Sequence, residues 1–461
     1  MAPTLPPNLT IRNLTPTPFT LTHTERFAAE TVSTGTALGN VCGIVTSLLH
    51  ATDFPTKELL PSGDALSSSP ASHDIKPFQI CQTDVPSPAP REVLRLSFEA
   101  RGVRYETDAP SPTRKSVTMR RVGGGAGEDF TAVYLPAQAF LAIFSSSHLA
   151  SWMSKLDDNL RLSALSIPGT HNSPCHYFAL PSVRCQVATV REQLNNGVRF
   201  LDVRVSAESD TDRMPLVHSA FPVSLWSTRY FHEVLDECYA FLDANPSECL
   251  IMSVKREGTG RAGDKGMSRY LRDGYIAKDK DRWFTADHIP HLREVRGKIV
   301  LLRRFRVDEH VKKESGGSFG IDAASFPDNC ADGVVNHRNR PLIRVQDFYN
   351  VGWGSDIDRK IELGCAHLAR AAAAEGGHAA PVFLNFLSAS NFFNAACWPE
   401  RIAARVNPAV VEHMCMRHGV EQPEKGCGAT GIVVTDWVGA YGDWDLVRCV
   451  VGMNARHLVK R

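Results

Sequence analysis

Charged and imidazole side chains stand at the ends of apolar runs in the second part of the sequence. The residues that close these runs are His171, Asp202, Arg204, His218, Lys255, Arg304, Asp347, Tyr349 and Asp436. Two imidazoles among carboxylates and cations suit general acid–base chemistry on a phosphodiester, since a neutral ring can accept a proton and a charged ring can donate one. Such residues at seven of eight run ends are not explained by a solvated face.

The residues around the histidines fit supporting roles in this chemistry. Asp436 would hold the base in its productive tautomer, and Asp202 would favour the cationic form of the acid. Arg204 and Lys255 would neutralise the charge that builds up on phosphoryl oxygens, a task for which preorganised cations are suited. The sequence therefore predicts an acid–base site with its own electrostatic support.

Eight short apolar runs predict the strands that position these residues. The runs are residues 162–171, 198–205, 214–220, 248–257, 297–305, 342–349, 381–390 and 431–439. Near-continuous apolar strands indicate a parallel sheet covered on both faces. Helical patterns separate several runs, at 187–196, 229–245, 356–375 and 409–419. We therefore expect an α/β fold, a (β/α)8 TIM-type barrel over residues 151–461, whose carboxyl strand ends meet at one mouth.

Residues 1–150 follow another pattern, in which apolar and polar residues alternate over short runs. Runs of this kind, bounded by Pro, Ser and Gly clusters, predict half-buried antiparallel strands. We expect a smaller all-β, sandwich-like domain of unknown accessory role before the barrel. The Ser/Pro-rich stretch 52–77 and the glycine-rich stretch 123–127 are predicted to be flexible loops.

Composition restricts the possible partners. The chain of 461 residues has a formal net charge of +1, so nothing in its overall charge favours nucleic acid. No run of 18 apolar residues occurs, and the start MAPTLPPNLTIRN lacks the pattern of a secretory signal. The 12 cysteines include no CxxC pair, which argues against a zinc site and for a reducing compartment. We expect a cytoplasmic monomer with no transmembrane span and peripheral membrane association.

Eight motifs in the second part resemble one enzyme family. They are SIPGTHNS (166–173), QLNNGVRFLDVRV (193–205), VHSAF (217–221), NPSECLIMSVKRE (245–257), GKIVLLRRF (297–305), VQDFY (345–349), LNFLSAS (384–390) and VVTDW (433–437). In this order they resemble bacterial-type phosphatidylinositol-specific phospholipase C over about residues 150–461. A β-rich region before such a catalytic domain resembles an arrangement found in fungal members.

The resemblance implies cleavage of phosphatidylinositol to diacylglycerol and inositol 1,2-cyclic phosphate without a cofactor. It implies that His171 deprotonates the inositol 2-hydroxyl and that His218, assisted by Asp202, protonates the leaving oxygen. Arg204 would contact the phosphate and Asp436 would orient His171. The remaining residues, Lys255, Arg304, Asp347 and Tyr349, would bind the inositol ring. Loop aromatics such as Phe178, Trp226 and Trp353 are candidates for contact with the membrane surface.

Two departures from the family pattern affect this hypothesis. Asn172 matches calcium-dependent relatives, whereas Arg204 and Lys255 match the metal-free type. A cation in the site would repel calcium, which needs six to eight oxygen ligands, so we expect catalysis without a metal. Ser219 replaces the usual Gly after the second histidine.

Two alternatives remain open from the sequence. One is a phosphodiesterase of the same fold that acts on another glycerophospholipid head group. The other is a catalytically weak protein that binds lipid or inositol phosphate, an option that Asn172 and Ser219 motivate.

Overall fold

The computed structural model describes residues 7–34, 56–110, 116–123, 127–208, 213–337, 340–374, 380–420 and 428–458. The chain divides into two compact units. The first comprises Met1–Ser147, Val411–Gly428 and Tyr441–Arg461, and the second comprises His148–Val410 and Ala429–Ala440. Each C-terminal segment contacts the N-terminal part of the first unit: buried Arg12 donates through Nη1 to the carbonyl of Cys415 at 3.0 Å, and the amide of Ser116 donates to Oδ1 of Asp445 at 3.3 Å.

The described residues of the N-terminal part of the first unit form ten strands in two five-stranded sheets. They are β1 Asn8–Leu14, β2 Phe19–Thr34, β3 Thr56–Ile75, β4 Ile80–Pro86, β5 Glu92–Ala100, β6 Val103–Ala109, β7 Ser116–Thr118, β8 Arg120–Val122, β9 Phe130–Leu135 and β10 Phe140–Ser145. One sheet has the order β4-β1-β10-β9-β7 and the other β3-β2-β5-β6-β8. Both contribute to one core that includes Ile11, Phe98 and Phe130. All neighbours are antiparallel except β1 and β10, which are parallel.

The predicted flexible loop over residues 52–77 is wrong where the structure describes it. Strand β3 occupies Thr56–Ile75 and pairs antiparallel with β2 along a long ribbon. It is the edge strand of its sheet and is largely exposed between residues 63 and 70, so no apolar alternation marks it in the sequence. An edge strand also tolerates proline, which has no amide hydrogen to offer a neighbour. Residues 124–126 of the predicted glycine-rich loop lie outside the described residues.

The second unit is built on a mainly parallel sheet. Its strands are β11 Ile167–Thr170, β12 Phe200–Val205, β15 Leu250–Arg256, β16 Trp283–Phe284, β17 Ile299–Arg304, β18 Ile321–Asp322, β19 Gly333–His337, β20 Arg340–Gln346, β21 Val382–Phe386 and β22 Ile432–Thr435, and a separate hairpin has β13 Val217–His218 and β14 Phe221–Pro222. Seven parallel strands follow the order β17-β15-β12-β11-β22-β21-β20.

Helices connect many of these strands. They are α1 Val190–Asn195, α2 Phe231–Ala244, α3 Asp264–Tyr270, α4 Leu292–Val295, α5 Glu309–Glu314, α6 Gly354–Ala373, α7 Pro399–Met416 and α8 Asp445–Gly452. Short 3₁₀ segments lie at Pro136–Gln138, Leu149–Lys155, Leu162–Ala164, Ile276–Arg282, Ala395–Cys397, Ala440–Gly442 and Met453–Leu458, and a π-helical turn lies at Leu271–Tyr275. Among the described residues, no helix has the length and apolar character that a bilayer span needs.

The parallel sheet curls so that distant strands approach each other. Arg304 on β17 lies over the ring of Phe386 on β21, with 5.7 Å between its guanidinium carbon and the ring centroid. Phe386 also contacts Phe200 of β12 edge to face. These contacts join strands that are far apart in the sheet order, as expected for a barrel whose interior is filled by side chains.

Two details of the eight-strand prediction are wrong. The run 214–220 does not supply a parallel strand of the sheet: Leu216 forms a single antiparallel bridge with Val205 of β12, and the two-residue strand β13 pairs with β14. The sheet is also not closed by hydrogen bonds between β17 and β20 in the described part of the chain. The run is short and is interrupted by Pro215, so its apolar character did not distinguish a hairpin from a barrel strand.

Candidate active site

His171 follows β11, and a buried aspartate holds its ring. Its Nδ1 lies 2.9 Å from Oδ1 of Asp436, which follows the neighbouring strand β22. Gln186 joins these two strand ends, because its Nε2 donates to the carbonyls of His171 and Thr435 at 2.8 Å each. With Nδ1 engaged, Nε2 of His171 is the ring nitrogen left for proton transfer.

Burial determines the protonation of this pair. The pKa of His171 lies well below its ordinary value because burial penalises the charged ring and because Arg204 and His218 add positive potential. Burial also raises the pKa of Asp436 well above its ordinary value. The imidazole of His171 is therefore neutral near neutral pH, which is the state that a general base requires.

The second imidazole, His218, belongs to the β13–β14 hairpin. Its Nδ1 donates to the carbonyl of Val183 at 2.7 Å, and Sγ of Cys185 lies 3.5 Å from the same nitrogen. A carbonyl only accepts, so Nδ1 carries a hydrogen, and Nε2 carries a second one only when the ring is charged. In its charged form, His218 can donate a proton from Nε2.

The structure brings the two predicted histidines together. Their ring centroids are 5.5 Å apart and the ring planes are inclined by 81°. His171 comes from the sheet and His218 from the hairpin, so two separate segments create the pair. The arrangement provides a neutral acceptor and a potential donor that a single reacting group can contact.

Arg204 lies on β12 between two carboxylates. Its Nε donates to Oδ2 of Asp202 and its Nη1 donates to Oε1 of Glu257, both at 3.0 Å. Although burial opposes it, Asp202, Glu257 and Asp347 raise the pKa of Arg204 above its ordinary value. The guanidinium is thus a permanent charge with a fixed orientation.

Asp202 has partners other than the expected His218. Its Oδ2 also accepts from the backbone amide of Asn172 at 3.2 Å, and Oγ of Ser253 lies 3.4 Å from Oδ1. Burial alone would raise the pKa of Asp202, but Arg204 and Arg304 hold it below its ordinary value. Asp202 therefore acts on Arg204 and on the backbone after His171, whereas the Nδ1 hydrogen of His218 goes to a backbone carbonyl.

Glu257 is a site residue that the sequence reasoning missed. Its Oε1 lies 3.0 Å from Nζ of Lys255 and 3.0 Å from Arg204, and its Oε2 accepts from the amide of Ser219 at 2.8 Å. Burial alone would raise its pKa, but Arg204 and Lys255 lower the pKa of Glu257 to about 2. Side chains two residues apart on a strand share a face, so its position after Lys255 was the available signal.

Lys255 and Arg304 continue the site along β15 and β17. The register pairs Lys255 with Arg304 directly across the two strands. Arg304 lies with its guanidinium carbon 3.6 Å from the ring centroid of Phe326, and its Nη1 is 3.6 Å from Oδ1 of Asp202. Asp328 lies 3.5 Å from Arg304 and 3.8 Å from Lys255. Two cations thus stand side by side next to Arg204.

Asp347 and Tyr349 follow β20 on the other side of the mouth. Burial raises the pKa of Asp347 to about 6, although Arg304 and Lys360 oppose this. Lys360 of α6 is fully buried, and burial lowers its pKa to about 8. Tyr349 is partly exposed and its amide donates to Oδ1 of Asn329 at 3.0 Å. The structure therefore places these two predicted residues beside the cations of the site.

Two other polar residues at strand ends have structural roles. Arg303, next to Arg304, forms an ion pair with Asp322 and donates to the carbonyl of Phe305. Asn385 on β21 is fully buried, donates to the carbonyl of Gly364 and accepts from Gln346. These contacts give neither Arg303 nor Asn385 a role in the chemistry of the site.

Several exposed aromatic side chains lie in the segments that follow the strands. We call Phe221, Trp226, Trp353, Phe392 and Phe393 the aromatic rim. Trp226 and Phe393 are 81% and 94% exposed, and the ring of Phe221 is stacked on Phe392 at 5.3 Å. The loop before α6 is tied to the next loop, since Nδ2 of Asn394 donates to the carbonyl of Gly352 at 2.9 Å. Phe178, half-buried, stacks on Trp226.

Comparison with known proteins agrees with the motifs. Residues 159–305 match the family model described as phosphatidylinositol-specific phospholipase C, X domain. The 1-phosphatidylinositol phosphodiesterase of Staphylococcus aureus strain Newman is 26% identical over 300 residues, which cover 63% of this chain and 88% of that protein. The protein of the same name from Listeria monocytogenes is 29% identical over 272 residues, covering 56% and 73% of the two chains.

A solved structure agrees as well. A mutant of the phosphatidylinositol-specific phospholipase C from Staphylococcus aureus superposes with a TM-score of 0.55 and 25% identity, and the match covers 66% of this chain and 97% of that one. The resemblance to bacterial phosphatidylinositol-specific phospholipase C is thus confirmed, and the second unit has the TIM-barrel-like fold of those enzymes.

Proposed function

We propose that this chain, whose residues 159–305 match the phospholipase C X domain, cleaves phosphatidylinositol to diacylglycerol and inositol 1,2-cyclic phosphate. The observation that carries the proposal is the pair of imidazoles 5.5 Å apart, of which His171 is held by a buried carboxylate and lies in the positive potential of Arg204. The names of the relatives, 1-phosphatidylinositol phosphodiesterase, support the choice of substrate.

The proposed step forms one bond to phosphorus and breaks another. Nε2 of His171 takes the proton of the inositol 2-hydroxyl while that oxygen attacks phosphorus. The bond from phosphorus to the diacylglycerol oxygen breaks, and Nε2 of charged His218 gives its proton to that oxygen. The phosphate remains attached to the inositol 1-oxygen and becomes a five-membered cyclic diester. Because nucleophile and phosphorus belong to one molecule, correct orientation supplies much of the acceleration.

Arg204 would neutralise the charge that develops on the phosphoryl oxygens. Asp202 and Glu257 each hold it at 3.0 Å, so it does not need to reorganise when the charge appears. Glu257 also contacts the amide of Ser219, the residue after His218. We therefore assign to Glu257 the support of the acid that the sequence had suggested for Asp202.

The engaged carboxylates favour catalysis without a metal. Asn172 is buried and its Oδ1 has no hydrogen-bond partner among the described residues, so this one oxygen would be available to calcium. The other oxygens that calcium would need, those of Asp202 and Glu257, already bind Arg204. A cation in this position excludes a second one by repulsion.

The charged residues beyond Arg204 suit a polyhydroxylated ring. Lys255 and Arg304 provide donors and Asp347 provides an acceptor for hydroxyl groups, and Tyr349 offers a ring face at the exposed side. This set distinguishes an inositol head group from choline, which offers no hydroxyl group to a carboxylate. It is the basis for preferring phosphatidylinositol to another glycerophospholipid.

The aromatic rim would dock the mouth on the membrane surface. Aromatic rings with apolar faces partition into the interface between water and lipid. Three rim residues are in contact, since Phe221 stacks on Phe392 and Phe392 meets Phe393 edge to face. One of the solved Staphylococcus aureus relatives was studied for modulation of its membrane binding, which supports this role.

A second candidate function is lipid or inositol-phosphate binding with little turnover. Ser219 favours it, because its φ of 54° lies in the left-handed region that glycine adopts easily, so the backbone beside His218 is under strain. Tight binding to liposomes without product, unchanged in His218→Ala, would support this candidate.

The test of the proposed activity uses phosphatidylinositol in mixed micelles with a chelator present. Phosphorus NMR should show the cyclic inositol phosphate, and His171→Ala should abolish it. His232→Ala, a change in α2, serves as the control. Activity that disappears with chelator and returns with calcium would overturn the metal-free mechanism, and absence of any product would overturn the proposed function.

A further inference from the structure

Three atoms that can bind a soft metal ion converge at the two imidazoles. A ring nitrogen of His171, a ring nitrogen of His218 and Sγ of Cys185 all lie within 4.8 Å of one another. We propose that the chain binds zinc, or another thiophilic divalent cation, through Cys185, His171 and His218, and that the bound ion inhibits the enzyme. The inhibition rests on the proposed function, whereas the binding does not.

The kind and spacing of the donors select the metal. Two imidazole nitrogens and one thiolate form a common ligand set of zinc, and three protein ligands leave a fourth position open. Tetrahedral zinc with bonds of about 2.0–2.3 Å places its ligand atoms about 3.3–3.7 Å apart. Sγ of Cys185 and Nδ1 of His218 are already 3.5 Å apart. Shifts of about 1 Å therefore bring the remaining atoms into the coordination distance.

Asp436 and the backbone around Cys185 favour coordination, although the positive potential of Arg204 at His171 opposes it. Asp436 contacts Nδ1 of His171 at 2.9 Å, which directs Nε2 outward, and a carboxylate behind an imidazole is the usual support of a metal-ligating histidine. The backbone of Cys185 is anchored because its amide donates to the carbonyl of Cys175 at 3.1 Å. Calcium and magnesium prefer oxygen donors, so this set discriminates against them.

An ion in this position would prevent catalysis directly. Coordination uses the lone pair of His171 that would accept the proton of the inositol hydroxyl. At His218 the ion would bind Nδ1 in place of the hydrogen that goes to the carbonyl of Val183, so the ring could no longer become the doubly protonated acid, and the thiol loses its own proton on binding. His218 lies at the partly exposed side of the cluster and is followed by exposed Ser219, so an ion can arrive from solvent.

Sequence spacing did not reveal this cluster because the three ligands are distant in the chain. His171 follows β11, Cys185 lies in the loop before α1, and His218 ends β13. Cys185 is not part of a CxxC motif. Only the fold brings the donors together.

The experiment measures metal binding on the full chain by two methods. Cobalt(II) added to the wild-type protein should give a thiolate-to-metal charge-transfer band and the visible absorption of a tetrahedral site. Competition with a chelating dye then gives the zinc affinity. We expect Cys185→Ala and Cys185→Ser to lose the charge-transfer band and to bind zinc at least about 100-fold more weakly. His171→Ala should also weaken zinc binding.

Cys238→Ala provides the matched control, since Cys238 is equally buried but lies in α2 and is not one of the three donors. It should retain the band and the affinity. Circular dichroism and thermal unfolding establish that each variant is folded, and the serine variant keeps the size of the side chain.

The outcomes separate the metal site from the proposed function. A charge-transfer band that persists in both Cys185 variants, or an unchanged zinc affinity, would overturn the site. Zinc bound through Cys185 with no effect on turnover would overturn the inhibition. If zinc binds through Cys185 but the metal-free protein does not cleave phosphatidylinositol, then the site stands and the proposed function fails.

Discussion

The carboxylate of Glu257 accepts a hydrogen bond from Nη1 of Arg204 at 3.0 Å. This contact, together with that of Asp202 to Nε, fixes both sides of the guanidinium. Glu257 also binds Lys255 and the amide after His218, so one carboxylate links the proposed phosphate-binding cation, a proposed inositol-binding cation and the backbone of the proposed acid.

We therefore expect Glu257→Gln to lower kcat/KM for phosphatidylinositol by about 10- to 100-fold, the size expected when a charged hydrogen bond is lost. Glutamine keeps an oxygen for the amide of Ser219 but does not balance Arg204 and Lys255. Steady-state kinetics in mixed micelles measure the effect. Asp322→Asn, which breaks the ion pair of Arg303, is the control. Equal rates for wild type and Glu257→Gln would contradict the assigned role.

Asp436→Asn should have a larger effect. An asparagine amide can donate to Nδ1 of His171, which forces the ring hydrogen onto Nε2 and removes the lone pair of the base. Loss of a comparable aspartate behind a catalytic histidine costs up to about 10,000-fold in kcat, and we expect a loss of about 100- to 10,000-fold here. Single-turnover rates measure the chemical step. A raised KM with an unchanged kcat would show that Asp436 acts in substrate binding instead.

Asp347→Asn should stabilise the protein at high pH. Burial raises the pKa of Asp347 to about 6, above the value of about 3.9 expected in an unfolded chain. Between these values the folded state retains a proton that the unfolded state has lost, so stability decreases as pH rises from about 4 to about 6. Removal of this penalty should raise the free energy of unfolding by about 2 to 3 kcal/mol at pH 8 and leave it nearly unchanged at pH 3.5.

Glu257→Gln provides a control of opposite sign in the same experiment. The folded pKa of Glu257 is about 2, below its unfolded value, so its charge stabilises the protein above pH of about 4.3, and this contribution is lost as pH falls toward 2. The variant should therefore be less stable than wild type at pH 8. Urea unfolding at the two pH values measures both variants. A loss of stability for Asp347→Asn at pH 8 would contradict the raised pKa.

Strands with continuous apolar residues could be predicted from the sequence, and so could the polar residues that end them. Burial on both faces leaves a clear signal in such strands, and the parallel arrangement brings their carboxyl ends together. The pairing of His171 with Asp436 follows from this logic, since neighbouring parallel strands carry them. Strand β3 could not be predicted in this way, because an exposed edge strand needs no apolar alternation.

The partners of His218 show what the sequence does not contain. Its Nδ1 binds the backbone carbonyl of Val183, and every residue type offers such an acceptor. The choice between Asp202 and Glu257 as the nearby carboxylate depends on distances between segments, which sequence spacing does not supply. The hairpin β13–β14 has two residues in each strand, too few to show a period.

Ser219→Gly should stabilise the protein by up to about 1 kcal/mol. The φ of Ser219 is 54°, where a side chain costs about 1–2 kcal/mol relative to glycine, and the greater freedom of unfolded glycine offsets part of the gain. The amide that donates to Glu257 remains in place. Ala220→Gly, at the next position without a positive φ, should instead destabilise. Urea midpoints of the two variants measure the difference, and equal shifts would argue against backbone strain at residue 219.

Phe393→Ser tests the aromatic rim. The side chain of Phe393 is 94% exposed, and transfer of a phenylalanine ring from water to an apolar environment is favourable by about 1.5–3 kcal/mol. Partial insertion at the interface should therefore make the variant bind phosphatidylinositol-containing vesicles about 10-fold more weakly, since 1.4 kcal/mol corresponds to a factor of ten. Cleavage of a short-chain monomeric substrate should not change, because Phe393 lies in the rim and not at the imidazoles.

Leu66→Ser, at an exposed leucine of β3, is the control, since Leu66 is 64% exposed and belongs to the N-terminal sheets. Equal vesicle affinities for Phe393→Ser and wild type, measured by sedimentation, would show that the rim does not enter the membrane. A loss on the monomeric substrate as well would place Phe393 in the substrate site instead.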